Sequence, residues 1–286
     1  MKALREFLRH SAPGAIGFAL CVLLIVLAVG APWLAPYNAN AQNLPQRLEA
    51  PSATHWMGTD ELGRDVLSRV IYGARVSMSV SVSVVFGAGI IGLLLGSLAG
   101  YFGGWFDGIV NIVLINAFLS FPGILLAIAF AAFLGPGLGN VIIALTITGW
   151  AGYARLARAQ VLQAKEMDYV AAARSLGASH WRILWRHLLP NIIQPVLVQG
   201  TIALAGAILA ESTLSFLGLG VLAPMSSWGA MLNDSRGHLF DAPHMVIFPA
   251  LAVACAVLAF NMLGDALRDW MDPRTRAYLI VTDLAR

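Results

Sequence analysis

The sequence predicts an all-α integral membrane protein with six transmembrane helices and a cytoplasmic helix–turn–helix, and three observations carry that prediction. Of 286 residues, 58% are hydrophobic and only 12% charged, about half the ~25% charged content of a soluble domain. Asp, Glu, Lys and Arg are missing from 10–46, 76–106, 108–154, 187–210 and 242–264. One long polar stretch, 166–191, lies between two strongly apolar runs. The net charge of +3 rests on few charged groups. No basic block of the kind that tracks a phosphate backbone occurs, so nucleic acid is not an expected partner. The bilayer is.

A helix needs ~20 apolar residues to cross the hydrocarbon core. The charge-free intervals supply spans at roughly 14–34, 78–100, 109–133, 138–160, 193–213 and 245–267, with GPGLGN (135–140) as the turn inside the longest interval. Placing the N-terminus in the cytoplasm puts Lys2, Arg5, Arg9, Arg155, Arg158, Lys165, Arg174, Arg182, Arg186, Arg268, Arg274, Arg276 and Arg286 inside. Arg47, Arg64, Arg69, Arg75 and Arg236 then fall outside, which agrees with the positive-inside rule. The chain divides accordingly into a tail and first span (1–35), an extracytoplasmic segment (36–75), a five-helix core (76–271) and a cytoplasmic tail (272–286). The basic start, MKALREFLRH, also suits a signal peptide, but the apolar run from Gly14 to Leu34 exceeds an ordinary h-region, so a retained span is expected.

The segment 55–77, HWMGTDELGRDVLSRVIYGARVS, reads as an external surface helix entering the membrane at Arg75. Its spacing predicts an Asp65–Arg69 pair at i,i+4 and a like-charge contact between Glu61 and Asp65. Asp60, Glu61 and Asp65 do not match a metal-wrapping loop. Ser77, Ser79, Ser81 and Ser83 alternate with apolar residues as a barrel strand would, yet the run flows into unbroken apolar sequence, which favours a helix with a serine face. Ala88, Gly92, Gly96 and Gly100 recur every fourth residue, a stripe that lets two helix backbones approach closely, within this subunit or against another.

Span three carries Asn111, Asn116 and Pro122, and Pro122 is expected to kink it. In 166–191 the residues predict a helix over Asp168–Leu176, a break at Gly177, and a second helix over Ser179–Leu189 stopped by Pro190. Arg182 and Arg186 share a face with Trp181 nearby, so an ordinary membrane-surface helix also fits. Polar residues within spans are pathway candidates because lipid exposure is costly. These are Asn111, Asn116, Glu211, Ser212, Ser215, Asn261 and, on span six, Asp265. Helix–helix hydrogen bonding is the competing reading for each. Cys21 and Cys255 sit in apolar runs and the histidines are scattered, so neither a disulfide framework nor a metal site is expected.

The pattern Ala172-Ala173, Gly177 and Leu189-Pro190 resembles the "EAA" loop of ABC-importer permeases. The residue opening that motif is Ala171, where the family commonly has Glu. HWMGTDELGRDVLSRVIYGARVS resembles the signature of one branch, the C-type subunit of dipeptide, oligopeptide and nickel importers. AGYFGGWFD (99–107), GYARLARAQVL (152–162), ILAESTLSFLGLG (208–220), SWGAMLND (227–234) and FNMLGDALRDWMDPR (260–274) continue the resemblance through nearly everything after residue 50. Asn116 departs from it, since relatives usually carry Asp there. The resemblance implies a type I importer permease fold and a coupling loop formed by Asp168, Tyr169, Ala171, Ala172, Ala173, Arg174, Gly177, Ala178, Trp181 and Arg182. It also implies a B-type permease partner, two ATPase subunits that bind ATP and Mg, and an extracytoplasmic binding protein. The cargo it implies is dipeptides or oligopeptides, with glutathione-like peptides, nickel or another metal chelate as alternatives. No cofactor is expected on this chain: its only lysines are Lys2 and Lys165, and no P-loop sequence occurs. A self-contained channel or an intramembrane enzyme is the rival class, but neither a filter sequence nor an acid/base constellation stands out.

Overall fold

The computed structural model describes residues 12–271, so the basic residues of 1–11 and the tail 272–286 lie outside the described residues. Among the described residues nine helices follow one another: α1 (Ala12–Leu34), α2 (Val66–Phe102), α3 (Gly104–Ser120), α4 (Gly123–Leu134), α5 (Leu138–Ala164), α6 (Asp168–Ser175), α7 (His180–Phe216), α8 (Trp228–Ser235) and α9 (His244–Met271). Single 3₁₀ turns occur at Leu44–Gln46 and Arg236–His238. Among the described residues no strand forms beyond an isolated Thr59–Asp65 bridge. The alternating serines 77–83 are helical, as expected.

Four helices (α1, α2, α7 and α9) are long and apolar enough to cross a membrane, and α3 with α4 makes a fifth crossing if the bent pair is one span. The remaining expected span is α5, 27 residues long, in which Thr, Gly and Arg dilute the apolar content. At ~1.5 Å per residue, the 37-residue α2 and α7 are each ~55 Å long and outreach a ~30 Å core. The expected surface helix and second span are therefore one rod from Val66 to Phe102, and entry at Arg75 is not marked by any break.

Span three is broken rather than kinked: α3 and α4 meet at 88°. Phe121 is extended (φ −94°, ψ 143°) because the residue before proline avoids the helical region, and Pro122 then starts α4, its carbonyl accepting from the Leu125 and Leu126 amides. A π-helical stretch over Gly108–Ile115 precedes the break. The GPGLGN turn forms as expected, with positive φ at Gly135 and Gly137.

The most extensive helix pairing is α2 with α5, and the small-residue stripe explains it. A Cβ on Gly96 would lie 2.2 Å from the Ala154 carbonyl oxygen, and one on Gly92 2.6 Å from that of Trp150. The stripe thus serves packing inside this chain. α9 packs against α7 and α1, closing a core around Phe260, Ile208 and Trp228.

Candidate functional site

The loop 166–191 is a rigid two-helix element. α6 ends at Ser175 and is closed by a Schellman arrangement: the Gly177 amide donates to the Arg174 carbonyl and the Ala178 amide to that of Ala173, both at 3.0 Å. Gly177 sits at φ +78° with no atom within 4 Å of where a Cβ would stand, so backbone conformation alone demands glycine. The Ser179 side chain caps the next helix by accepting from the Arg182 amide. The expected helix–break–helix is present, but its second helix does not end at Pro190. Helix continues through a π turn over Leu184–Leu188 into Leu189–Phe216, making α7 continuous. Pro190 falls in the first turn after the π segment, where a missing N–H is tolerated, and the Asn191 side chain donates to the His187 carbonyl (2.7 Å).

One face of this element is buried. Val170, Ala173, Ile183, Leu184 and Leu188 join Tyr101, Ala157, Val161 and Ile192 in a single apolar cluster. Polar ties fix it further. The Tyr101 hydroxyl meets His180 Nδ1 at 2.9 Å, Asn191 donates to the Tyr169 hydroxyl at 2.9 Å, and Lys165 Nζ donates to the Gly100 carbonyl at 3.0 Å. Arg158 makes a two-pronged pair with Asp107 at 2.5 and 2.6 Å, tying α5 to α3. The other face is open: Asp168, Tyr169, Ala171, Ala172, Arg174, Gly177, Trp181 and Arg182 are exposed, with Leu176 88% exposed. Of the expected loop residues only Ala173 is buried, and Ala178 is half-buried. An anchored inner face thus lies beneath an outer face of small residues, two arginines and exposed Leu176 and Trp181.

At the opposite end of α2 the expected Asp65–Arg69 pair is replaced by a longer-range network. Asp65 instead caps α2, accepting from the Ser68 amide and hydroxyl and meeting His55 Nδ1 at 2.9 Å, while Glu61 lies 3.7 Å from His238 Nε2. Arg69 pairs with Asp60 and, at 3.2 Å, with Asp234, while Arg64 Nε donates to Asp60 at 2.6 Å. Asp60, Arg64 and Arg69 are all buried. This network joins the motifs 55–77 and 227–234, a connection that no local spacing reveals. Among the described residues no group of three or more His, Cys, Asp or Glu is placed to hold a metal.

The pathway candidates do not gather. Glu211 is fully buried, with Ser77 (2.9 Å) and Ser215 (2.7 Å) donating to its two oxygens, and Ser212 is buried beside it. Asn116 and Asn261 are exposed on α3 and α9, and Asn111 is half-buried. What the sequence reading missed is a cleft of about 320 Å³ between α2, α4, α5 and α7 at the α3–α4 break. Ala88, Gly123, Gly149, Gly152 and Gly206 give it space, and Tyr153 and Gln199 give it polarity. The Tyr153 hydroxyl is buried with no hydrogen-bond partner among the described residues. The surplus of Gly and Ala at 149–152 and 203–207 was the available signal.

A bundle of long apolar helices, one broken at a proline and one continuous with a capped surface loop, has the architecture of a membrane transport subunit. The inward-facing MetNI methionine ABC transporter shares this fold: 97% of its chain aligns with 71% of this one at a TM-score of 0.57 and 21% identity. The chain belongs to the binding-protein-dependent transport system inner membrane component family, whose model matches residues 92–277, and residues 2–51 match the N-terminal TM domain of oligopeptide transport permease C. It is thus a non-catalytic C-type permease of an ABC importer, a multi-pass protein of the inner membrane. Similar proteins include the glutathione transport system permease protein GsiD of Pectobacterium atrosepticum, 44% identical over 96% of this chain and 90% of the relative. The dipeptide transport system permease protein DppC of Bacillus subtilis is 44% identical over 91% of this chain and 81% of the relative.

Proposed function

We propose that this chain moves short peptides, dipeptides or oligopeptides, as one half of a permease pair. The homologous B-type subunit is the other half, and two ATPase subunits and an extracytoplasmic binding protein complete the machine. The names of the relatives support the cargo: both glutathione and dipeptides are small peptides with an amide backbone. In this reading the exposed face around Asp168, Tyr169, Ala171, Ala172, Arg174, Trp181 and Arg182 seats in an ATPase subunit, and ATP and Mg stay on that partner. Both termini and the 166–191 loop are cytoplasmic, and 36–75 faces outward.

The observation that carries the coupling assignment is the continuity of α7. The exposed loop helix and span five are one helix from His180 to Phe216, so movement of one is movement of the other. For the pathway, the α2/α4/α5/α7 cleft with Tyr153 and Gln199 adds to the sequence candidates Asn111, Asn116 and Asn261. Its neutral polar groups suit peptide amides better than a metal ion. Glu211, Ser212 and Ser215 act in the pathway only in a conformation that opens their serine cage. The test is uptake of labelled dipeptides, glutathione and nickel into vesicles holding the whole complex, with and without its binding protein. ATP-dependent accumulation of peptide but not nickel is expected. Nickel accumulation without peptide uptake refutes the cargo, and failure of ATPase subunits to co-purify refutes the coupling.

A further inference from the structure

Where α1 ends and α2 begins its membrane passage, a groove of about 510 Å³ opens between Pro32–Asn40, Tyr72–Val76 and the loop before α8. It lies at the end of α2 opposite the coupling loop. Its position along the membrane normal follows from the sequence. The apolar helix α1 stops at Leu34, and the charge-free stretch of α2 starts at residue 76, immediately after Arg75. The groove therefore sits at headgroup depth, and Trp33 beside it is 82% exposed, as interfacial aromatics are.

Tyr37 and Asn38 in its wall are engaged, the Tyr37 hydroxyl donating to the Thr54 carbonyl and the Asn38 side chain accepting from the Asn40 amide, but the other polar side chains that line it are unspent donors. Arg75 is exposed and has no ion-pair or hydrogen-bond partner among the described residues, unlike Arg64, Arg69 and Arg158. The Tyr72 hydroxyl is likewise unengaged. Ser226 is 4% exposed, and its Oγ is buried without a partner, a state costly to a hydroxyl unless something supplies an acceptor. Asn40 offers its side-chain amide at the rim. Among the described residues no carboxylate lines the groove. One guanidinium, two hydroxyls and an amide, without a compensating acid, form a phosphate-binding set. Pro32, Val76 and Met225 make the rest of the wall apolar. From Pro32 the exposed flank of α1 runs back through Val29 (67%) and Val26 (51%), a track for an acyl chain.

We propose that this groove binds a phospholipid by its headgroup phosphate, with Arg75 as the charged partner, Ser226 and Tyr72 as hydrogen-bond donors, and an acyl chain along α1. A free phosphate ion would meet the same donors but not the apolar track.

Native mass spectrometry of the delipidated importer complex tests this, with phosphatidylglycerol, a diacylglycerol of the same chains, and inorganic phosphate added in turn. Phosphatidylglycerol is expected to bind roughly tenfold better than diacylglycerol, and Arg75→Gln to lower its occupancy roughly fivefold to tenfold while Arg75→Lys keeps most of it. Equal binding of diacylglycerol, or unchanged phosphatidylglycerol occupancy in Arg75→Gln, overturns the proposal. Displacement of the lipid by inorganic phosphate makes this a free-phosphate site and overturns it too. If Arg75→Gln does not assemble, Ser226→Ala and Tyr72→Phe decide: undiminished lipid retention in both refutes the assignment.

Discussion

Replacing Gly177 isolates one term of the proposed coupling role of the 166–191 loop. Its φ of +78° is a conformation that L-residues avoid, and the space around it is empty, so a new side chain meets no steric contact. The whole cost is in the backbone, ~1–2 kcal/mol for an ordinary residue and more for a β-branched one. Asn tolerates this region and should cost far less. Strain of that size opposes the Gly177 and Ala178 amide bonds that close α6. It leaves the buried anchors Val170, Ile183 and Leu188 in place. Gly177→Val should therefore insert normally while its affinity for the ATPase subunits falls ~5- to 30-fold, the equivalent of ~1–2 kcal/mol. Titrating purified ATPase subunit against permease in nanodiscs measures this, with Gly177→Asn as control. If Val and Asn bind alike, the closed turn is not what the ATPase reads. If both variants bind as tightly as the original, the docking face lies elsewhere.

Gly96→Ala should lower the melting temperature of the purified protein, since overpacking against the Ala154 backbone costs ~1–3 kcal/mol, whereas Gly152→Ala, with open space around it, should not; equal melting points would contradict the α2–α5 contact. Asp60→Asn leaves two buried arginines under-compensated and should cost ~3–5 kcal/mol, measurably more than Asp234→Asn, whose side chain is 34% exposed; the reverse ranking would refute the network. Single cysteines at Gln46 and Ser179, after removal of Cys21 and Cys255, should label from opposite membrane sides with an impermeant thiol reagent, and labelling from one side would overturn the topology. Glu211→Gln keeps hydrogen bonding to Ser77 and Ser215, so complex assembly should persist. Transport that also stays normal would remove the charge from the mechanism.

How legible all this was in the sequence depended on how local the cause was. The Gly177 break, the Ser179 cap and the GPGLGN turn are set by residues within a few positions, and all three were predicted. Proline was read in part. Pro122 disrupts its span because Phe121 must leave the helical region, but the size of the bend depends on packing of α4 against α5. Pro190 does not stop its helix, because it follows directly on a π turn that re-registers the backbone, and that turn leaves no clear mark in sequence. Least legible were partners far apart in the chain. Arg69 finds Asp234 across 165 positions and Glu211 finds Ser77 across 134. Local spacing therefore offered Arg69 the wrong acid and left Glu211 looking like a free charge.

The unbroken run of α7 has a geometric consequence of its own. From His180 to Glu211 is 31 residues, ~46 Å of helix at ~1.5 Å each. A stiff rod of that length turns a ~5° tilt at its base into a ~4 Å sideways displacement at its tip. At that tip, the hydrogen bond from Ser77 on α2 to Glu211 spans 2.9 Å, while the one from Ser215 lies within α7 and moves with it. Leverage of this size exceeds what such bonds can stretch. A tilt of α7 driven from its loop end therefore breaks the Ser77–Glu211 contact with α2.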